Sequence, residues 1–412
     1  MKNKIFLAFL MLISFQSFSQ TNSSYSIKAD LLYGNILGFT AELNAMIDKP
    51  VMGGELAIEW QTMGEKNWHQ YLNFPSFGIS TVFLDLGNPK MLGNAFAIYP
   101  YLDISLWRTN YLKLYAKGGM GASYLTKTYY NTNQKSDGSY YPSMENTNVA
   151  IGSALNIYFA GGGGLEIPVS NGIKLVAEYT WNHCSNGSFV QPNSGINMMN
   201  GLVGIKYTPN HKTLKSPVKR ELADISRKIN FEFIASGGAR QLYYKDNYVN
   251  GKPSDSPKFR YFPTGSLVFA AFKPLTNYYR MGVGVDAFYD GAFDGHETKF
   301  GRYYVLNNKF ENKIRVGLSW QNELIFGRIS AGFHFGLYLF DPLKNLSPGE
   351  LAKSETLNKT LIYSYNINEE DGWFYSRAAF KYTLSKHYFI SLGLKTHQQK
   401  AEFIEWGLGY RF

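Results

Sequence analysis

The chain has 412 residues, 17% of them aromatic (31 Tyr, 30 Phe, 7 Trp), with 40 Gly, a single Cys and a formal charge of +10. One Cys excludes an intrachain disulfide framework, and a 45% hydrophobic composition excludes a disordered chain. Past residue 20 no apolar run approaches the roughly 18 residues of a membrane-spanning helix.

The chain begins Met1-Lys2-Asn3-Lys4, runs almost continuously apolar from Ile5 to Phe15, and places small residues at Ser17 and Ser19. That order predicts a signal peptide over 1–19 and an exported mature chain. The alternative is an N-terminal anchor, but an apolar stretch of about 11 residues is short for a span of about 20.

Period-2 alternation dominates the rest of the chain, bounded by Gly, Pro, Asn and Asp. Predicted strands in the first half cover 25–38, 49–63, 72–87, 95–108, 111–129, 151–168, 172–185 and 196–208. Most exceed the five or six residues usual in soluble sheets and suit the roughly 9–11 of a tilted membrane strand. Such strands spread their apolar residues over every second position, so a very aromatic chain shows no long apolar run. In 172–185, Ile173, Leu175, Ala177, Tyr179 and Trp181 share one face, and Lys174, Glu178, Thr180 and Asn182 the other. An apolar face ending in Tyr and Trp fits a lipid-facing wall with an aromatic girdle.

Residues 210–228 break the pattern, with Lys212, Lys215, Lys219, Arg220, Arg227 and Lys228 against only Glu221 and Asp224. This segment reads as a basic linker, with a helical turn or two from Arg220 to Ile225. Strands resume at 229–243, 259–273, 279–291, 313–326, 328–340, 372–385, 387–397 and 401–412, with long loops at 292–312 and 343–371. In the last strand Ile404, Trp406, Leu408, Tyr410 and Phe412 share one face. Its aromatic-x-Phe ending resembles the assembly signal of bacterial outer-membrane proteins. The predicted fold is all-β, a transmembrane antiparallel β-barrel of the bacterial outer membrane. An eight-stranded barrel occupies 20–209, a basic periplasmic linker 210–228 and a second barrel-like half 229–412. One continuous barrel of about 14–16 strands is the alternative.

One segment carries chemistry: Trp181-Asn182-His183-Cys184-Ser185-Asn186, followed by Pro192-Asn193-Ser194-Gly195-Ile196-Asn197. His183 and Ser185 lie two apart on a strand and so share its lipid-facing side. Asn197 has the parity of Met199, Val203, Ile205 and Tyr207 on the returning strand and gathers with them. A base beside a hydroxyl, with a third group to orient the base, is the logic of acyl transfer. On spacing alone, His-x-Ser is a common pattern and equally suits polar residues at a barrel rim.

The fuller string resembles the outer-membrane lipid A 3-O-deacylases of the PagL family, whose signature is His-x-Ser-Asn, a short loop with Pro-Asn-x-Gly-Ile, and then an acidic residue. The matching positions are His183, Ser185, Asn186, Pro192, Asn193, Gly195 and Ile196. They cover the last hairpin of the first half directly, and residues 229–412 lie outside the resemblance. It implies an eight-stranded deacylase-like barrel over 20–209 with a lipid-facing site, in which Ser185 attacks an acyl ester and His183 is the general base. The loop after the Ser contributes to the oxyanion hole, for which Asn186 is the candidate donor. Asn197 stands where the family has Glu; it can hold the imidazole but cannot stabilise the imidazolium by charge.

Other polar residues read as lumen groups. Cys184, between His183 and Ser185, points inward, as do Asp103, Glu166 and Glu178. His397 has the parity of Lys395 and joins Glu402 and Glu405 in a second lumen cluster. No metal-spaced His/Cys set and no phosphate-binding loop is present, so neither cofactor nor metal is expected. The positive charge suits lipopolysaccharide phosphates, and nucleic acid is not an expected partner of an exported barrel. The expected function is hydrolysis of an acyl ester of lipid A by a Ser-His mechanism in the outer membrane. A non-catalytic structural or channel barrel with a degenerate motif is the alternative; oligomeric state is left open.

Overall fold

The computed structural model describes residues 25–132, 148–209, 217–222, 225–244, 248–249, 252–253, 258–294, 304–305, 308–341, 351–352, 362, 372–397 and 400–412. The predicted signal peptide over 1–19 lies outside them. Eight strands, β1 (Tyr25–Ile36), β2 (Val51–Gln61), β3 (Ser76–Asp85), β4 (Asn94–Arg108), β5 (Lys113–Leu125), β6 (Leu155–Ser170), β7 (Ile173–Ser185) and β8 (Ile196–Tyr207), close into one barrel. A second eight close into another: β9 (Asn230–Tyr244), β10 (Lys258–Pro274), β11 (Tyr279–Asp290), β12 (Ile314–Phe326), β13 (Ile329–Phe340), β14 (Phe374–Thr383), β15 (Tyr388–His397) and β16 (Lys400–Arg411).

Each barrel is an antiparallel meander whose last strand returns to its first. Ile27 of β1 pairs with Tyr207 of β8, and Glu232 of β9 pairs with Arg411 of β16. The alternative of a single barrel with 14–16 strands is therefore not realised, because β1 and β8 satisfy each other's edges and offer none to β9. The expected strands are all present, with ends shifted by up to four residues. The one expected over 72–87 begins at Ser76 because Asn73 and Phe74 both take a φ of 55°, which turns the chain before it extends. The described linker residues 217–222 and 225–229 carry no helix, so the helical turn expected from Arg220 is not formed there; 223 and 224 lie outside the described residues. The Gln70 amide instead donates to Val218 O at 3.0 Å.

Alternation sorts the side chains. Outward positions are apolar and open: Leu31 is 79% exposed on β1, and Tyr179 on β7 and Trp406 on β16 are also exposed. Inward positions are polar and buried. In the first barrel Lys117 Nζ lies 2.7 Å from Glu55 and 2.9 Å from Glu178, while Glu178 also takes Lys28 at 2.5 Å and the Tyr115 hydroxyl at 2.6 Å. The second barrel repeats the device with Arg280 and Lys381 between Glu232 and Glu323, at 2.7–2.9 Å. An eight-stranded wall leaves an interior just wide enough for side chains, and these ion pairs fill it, which disfavours an open channel. Asp30, Glu55 and Glu178 approach one another closely, but the ammonium groups of Lys28 and Lys117 already bridge them. The predicted inward residues follow suit: Glu166 pairs with Lys206 at 2.7 Å, Asp103 is buried, and His397 Nε2 lies 3.0 Å from Glu402.

Toward the end where β7 meets β8, the lumen changes from charged to apolar. Leu32, Ile36, Leu84, Leu125, Ile151, Ile196 and Met198 form a plug under the loops, and Cys184 points into it. The plug supports the hairpin that carries the site. Replacing Glu178 by Ala strips two buried ammonium groups and a phenol of their shared acceptor. Lys28 keeps Asp30 and Glu55, and Lys117 keeps Glu55, so what is lost is hydrogen bonding to a charged group, about 1.5–3 kcal/mol per bond. The variant is expected to unfold at lower urea and lower temperature, read by the gel shift between folded and unfolded barrel. A midpoint equal to that of the wild type would show that the network is energetically neutral.

Candidate active site

The site is built by strand register. His183 of β7 pairs directly with Asn197 of β8, and on the other side with Phe159 of β6; Ser185 pairs with Ile157. All five side chains project outward, at the end of the barrel that carries the loop 186–195. The row of β7 that begins with Leu175 and Tyr179 thus ends with His183 and Ser185. Polar groups there are expensive in hydrocarbon and mark function.

Asn197 Oδ1 lies 2.8 Å from His183 Nδ1. A carbonyl oxygen only accepts, so Nδ1 carries the proton and Nε2 is left with its lone pair, as a base requires. The ring is clamped in its plane by Trp181, stacked at 5.6 Å with an interplanar angle of 11°, and by Phe159 at 6.3 Å. Gly195 closes the remaining side. Its φ is +76°, and a Cβ there would stand 2.8 Å from His183 Cε1, so only glycine fits.

Ser185 is buried, and its Oγ accepts two hydrogen bonds, from the Gly187 backbone N–H at 3.1 Å and from the Asn193 amide at 2.9 Å. Among the described residues it makes no hydrogen bond with His183. The Asn193 amide is itself aimed, because Asn186 N–H donates to its Oδ1 at 3.1 Å. This corrects the role expected for Asn186. Its own amide donates to Ser153 Oγ and to Val190 O, both at 2.9 Å, so it staples the loop and does not face the nucleophile. The donors at Ser185 are Gly187 and Asn193, which sequence reasoning matched to the motif or passed over without giving them a task. Pro-Asn-x-Gly held the signal for Asn193; nothing local pointed to the Gly187 N–H. Glu178 cannot replace the missing acid, since its carboxylate is held in the lumen by Lys28 and Lys117.

A family model described as lipid A 3-O-deacylase (PagL) matches residues 52–206, and one described as the acyloxyacyl hydrolase C-terminal domain matches 229–348 and 359–412. The chain belongs to the PagL family of acyloxyacyl hydrolases. Its two closed β-barrels thus belong to a hydrolase family. Among solved structures, the crystal structure of the outer membrane enzyme PagL is similar at 15% identity and a TM-score of 0.27, over 43% of this chain and 97% of that one. The crystal structure of Neisserial surface protein A is similar at 12% identity and a TM-score of 0.28, over 46% of this chain and 99% of that one. No curated protein matches the chain.

The motif resemblance stopped at the first half, whereas the PagL-family match continues through the second barrel, under a C-terminal domain model of its own. In this PagL-family chain Gly195→Ala is expected to push the imidazole off its Asn197 partner. A misplacement of about 1 Å can cost on the order of 100-fold in rate. Any hydrolysis that uses His183 as its base should fall by about 10- to 100-fold in the folded variant, and an unchanged rate would show that the ring takes no part.

Proposed function

We propose that the first barrel deacylates lipid A in the outer leaflet, cutting an acyl ester with Ser185 as nucleophile, His183 as general base and Asn197 as the group that orients the base. The observation that carries the reading is the 2.8 Å Asn197–His183 hydrogen bond, two residues from Ser185 on a lipid-facing strand of a PagL-family barrel. The family description points to the 3-O position of the glucosamine disaccharide.

In this mechanism rotation about χ1 carries Ser185 Oγ toward His183 Nε2 and frees the Gly187 N–H and Asn193 amide. Oγ attacks the ester carbonyl as its proton passes to Nε2, and those two donors take up the negative charge on the former carbonyl oxygen. The C–O bond to the sugar breaks, and the imidazolium returns its proton to the departing sugar oxygen. Water then attacks the acyl-serine with His183 again as base, which releases a fatty acid and restores Ser185. Catalytic hydrogen bonds commonly tighten only once substrate is bound.

A second reading, a non-catalytic barrel that keeps the motif, is favoured by one observation: Asn197 has no charge with which to stabilise the imidazolium. Mass spectrometry of lipid A from a strain expressing the protein separates the two. Loss of one hydroxyacyl chain supports the deacylase; an unchanged spectrum with folded protein in the outer membrane removes it.

A further inference from the structure

Around most of the first barrel the outward side chains are open, as at Leu31 and Val203, 79% and 66% exposed. Beside the site they are not. Ile157 and Phe159, the outward cross-strand partners of Ser185 and His183, are only partly exposed. The second barrel covers them. Phe159 stacks on Phe380 of β14 with centroids 6.4 Å apart. A cleft runs between the barrels, with Ile157 and Phe159 on one wall and Phe380, Leu392, Leu394 and Ile404 on the other.

Two residues that line the cleft, Leu394 and Ile404, also approach the loop after the nucleophile. Gly187, whose N–H donates to Ser185 Oγ, lies against the second barrel so closely that a Cβ there would stand 2.4 Å from Ile404 and 3.3 Å from Leu394. Polar ties hold the same loop to that barrel. Ser188 Oγ donates to Ala401 O at 2.7 Å, Gln241 N–H to Ser188 O at 3.0 Å, and Gln191 N–H to the Gln241 side-chain oxygen at 2.8 Å.

We propose that this cleft binds the hydrocarbon chain of the ester cleaved at Ser185, and that the second barrel supplies its far wall. The assignment rests on the deacylase reading for the identity of the ester. Two apolar walls inside a bilayer have no water to expel, so dispersion contacts such as Phe159 on Phe380 hold them together, and a lipid chain can replace those contacts. The hydrogen bonds at the loop end keep the barrels in place while the cleft opens. Close packing along the chain then makes the cleft a selector of chain length and shape.

The test uses the full chain in vesicles of lipid A and phospholipid. A lipid A analogue with a photoactivatable group at the end of its ester-linked chain is irradiated with the Ser185→Ala variant. Label is expected on both walls, in peptides carrying Ile157 and Phe159 and in those carrying Leu392, Leu394 and Ile404. Label spread around both perimeters, or confined to the first barrel, overturns the proposal. In the Ser185 chain, Leu392→Trp and Ala378→Phe, the latter at a residue that lines the same wall from β14, should each lower release of long chains about 10-fold or more while sparing a short-chain ester. Equal loss on both esters in folded protein, or no loss on either, counts against the cleft. If the wild type cuts no lipid A, the deacylase reading fails, and the labelling pattern still decides the cleft.

Discussion

Ser185→Ala is expected to abolish loss of the hydroxyacyl chain, with the barrel still folded and inserted. In serine hydrolases removal of the nucleophile costs about 10⁶ in kcat, because proton transfer and oxyanion stabilisation then have nothing to act on. The substitution removes the acceptor of the Gly187 N–H and the Asn193 amide, while the Asn186 N–H still holds Asn193 through its Oδ1. The measurement is lipid A mass spectrometry beside the wild type, with the gel shift of the folded barrel as control. Full deacylation by the variant would exclude Ser185 as nucleophile and return attention to His183 with an activated water.

Asn197→Asp is expected to raise the rate. Asn197 Oδ1 already sits 2.8 Å from His183 Nδ1, so a carboxylate of the same length falls into place with no movement of either strand. A charge-assisted hydrogen bond contributes about 1.5–3 kcal/mol against roughly 1 for a neutral pair. The imidazolium formed in the transition state draws on that difference, which corresponds to about 2- to 30-fold in rate. The family residue, in Asn197→Glu, adds a methylene of about 1.5 Å and must tilt the ring to fit, so its gain is expected to be smaller. Asn197→Ala should lower the rate by freeing the ring. If neither acid raises the rate and Ala does not lower it, Asn197 is not the orienting group.

Much of this molecule was legible in the chain because a strand's information is local. Parity alone places Tyr179, Trp181, His183 and Ser185 outside, and Glu178 and Cys184 inside, and the burial of each inward residue agrees. The same rule put His397 in the lumen, where it meets Glu402, five residues further along the chain at the start of β16. The candidate nucleophile and base were visible for the same reason, since two residues on one strand need no folding to become neighbours.

What the sequence determined by itself, then, is the set of strands, their two faces, and a base and a hydroxyl on the lipid side of one hairpin. Tertiary structure decided the rest. Whether sixteen strands make one barrel or two depends on which edges meet, and every strand carries the same backbone donors and acceptors, so no residue announces the closure. Asn186 looked like the oxyanion donor until the fold brought Ser153 to its amide and set Asn193 at Ser185. Ile404, more than two hundred residues from Gly187, reached it because the outward faces of the two barrels pack together beside the site. Such contacts lie between surfaces that each look lipid-facing along the chain, and only their meeting distinguishes a cleft wall from a membrane wall.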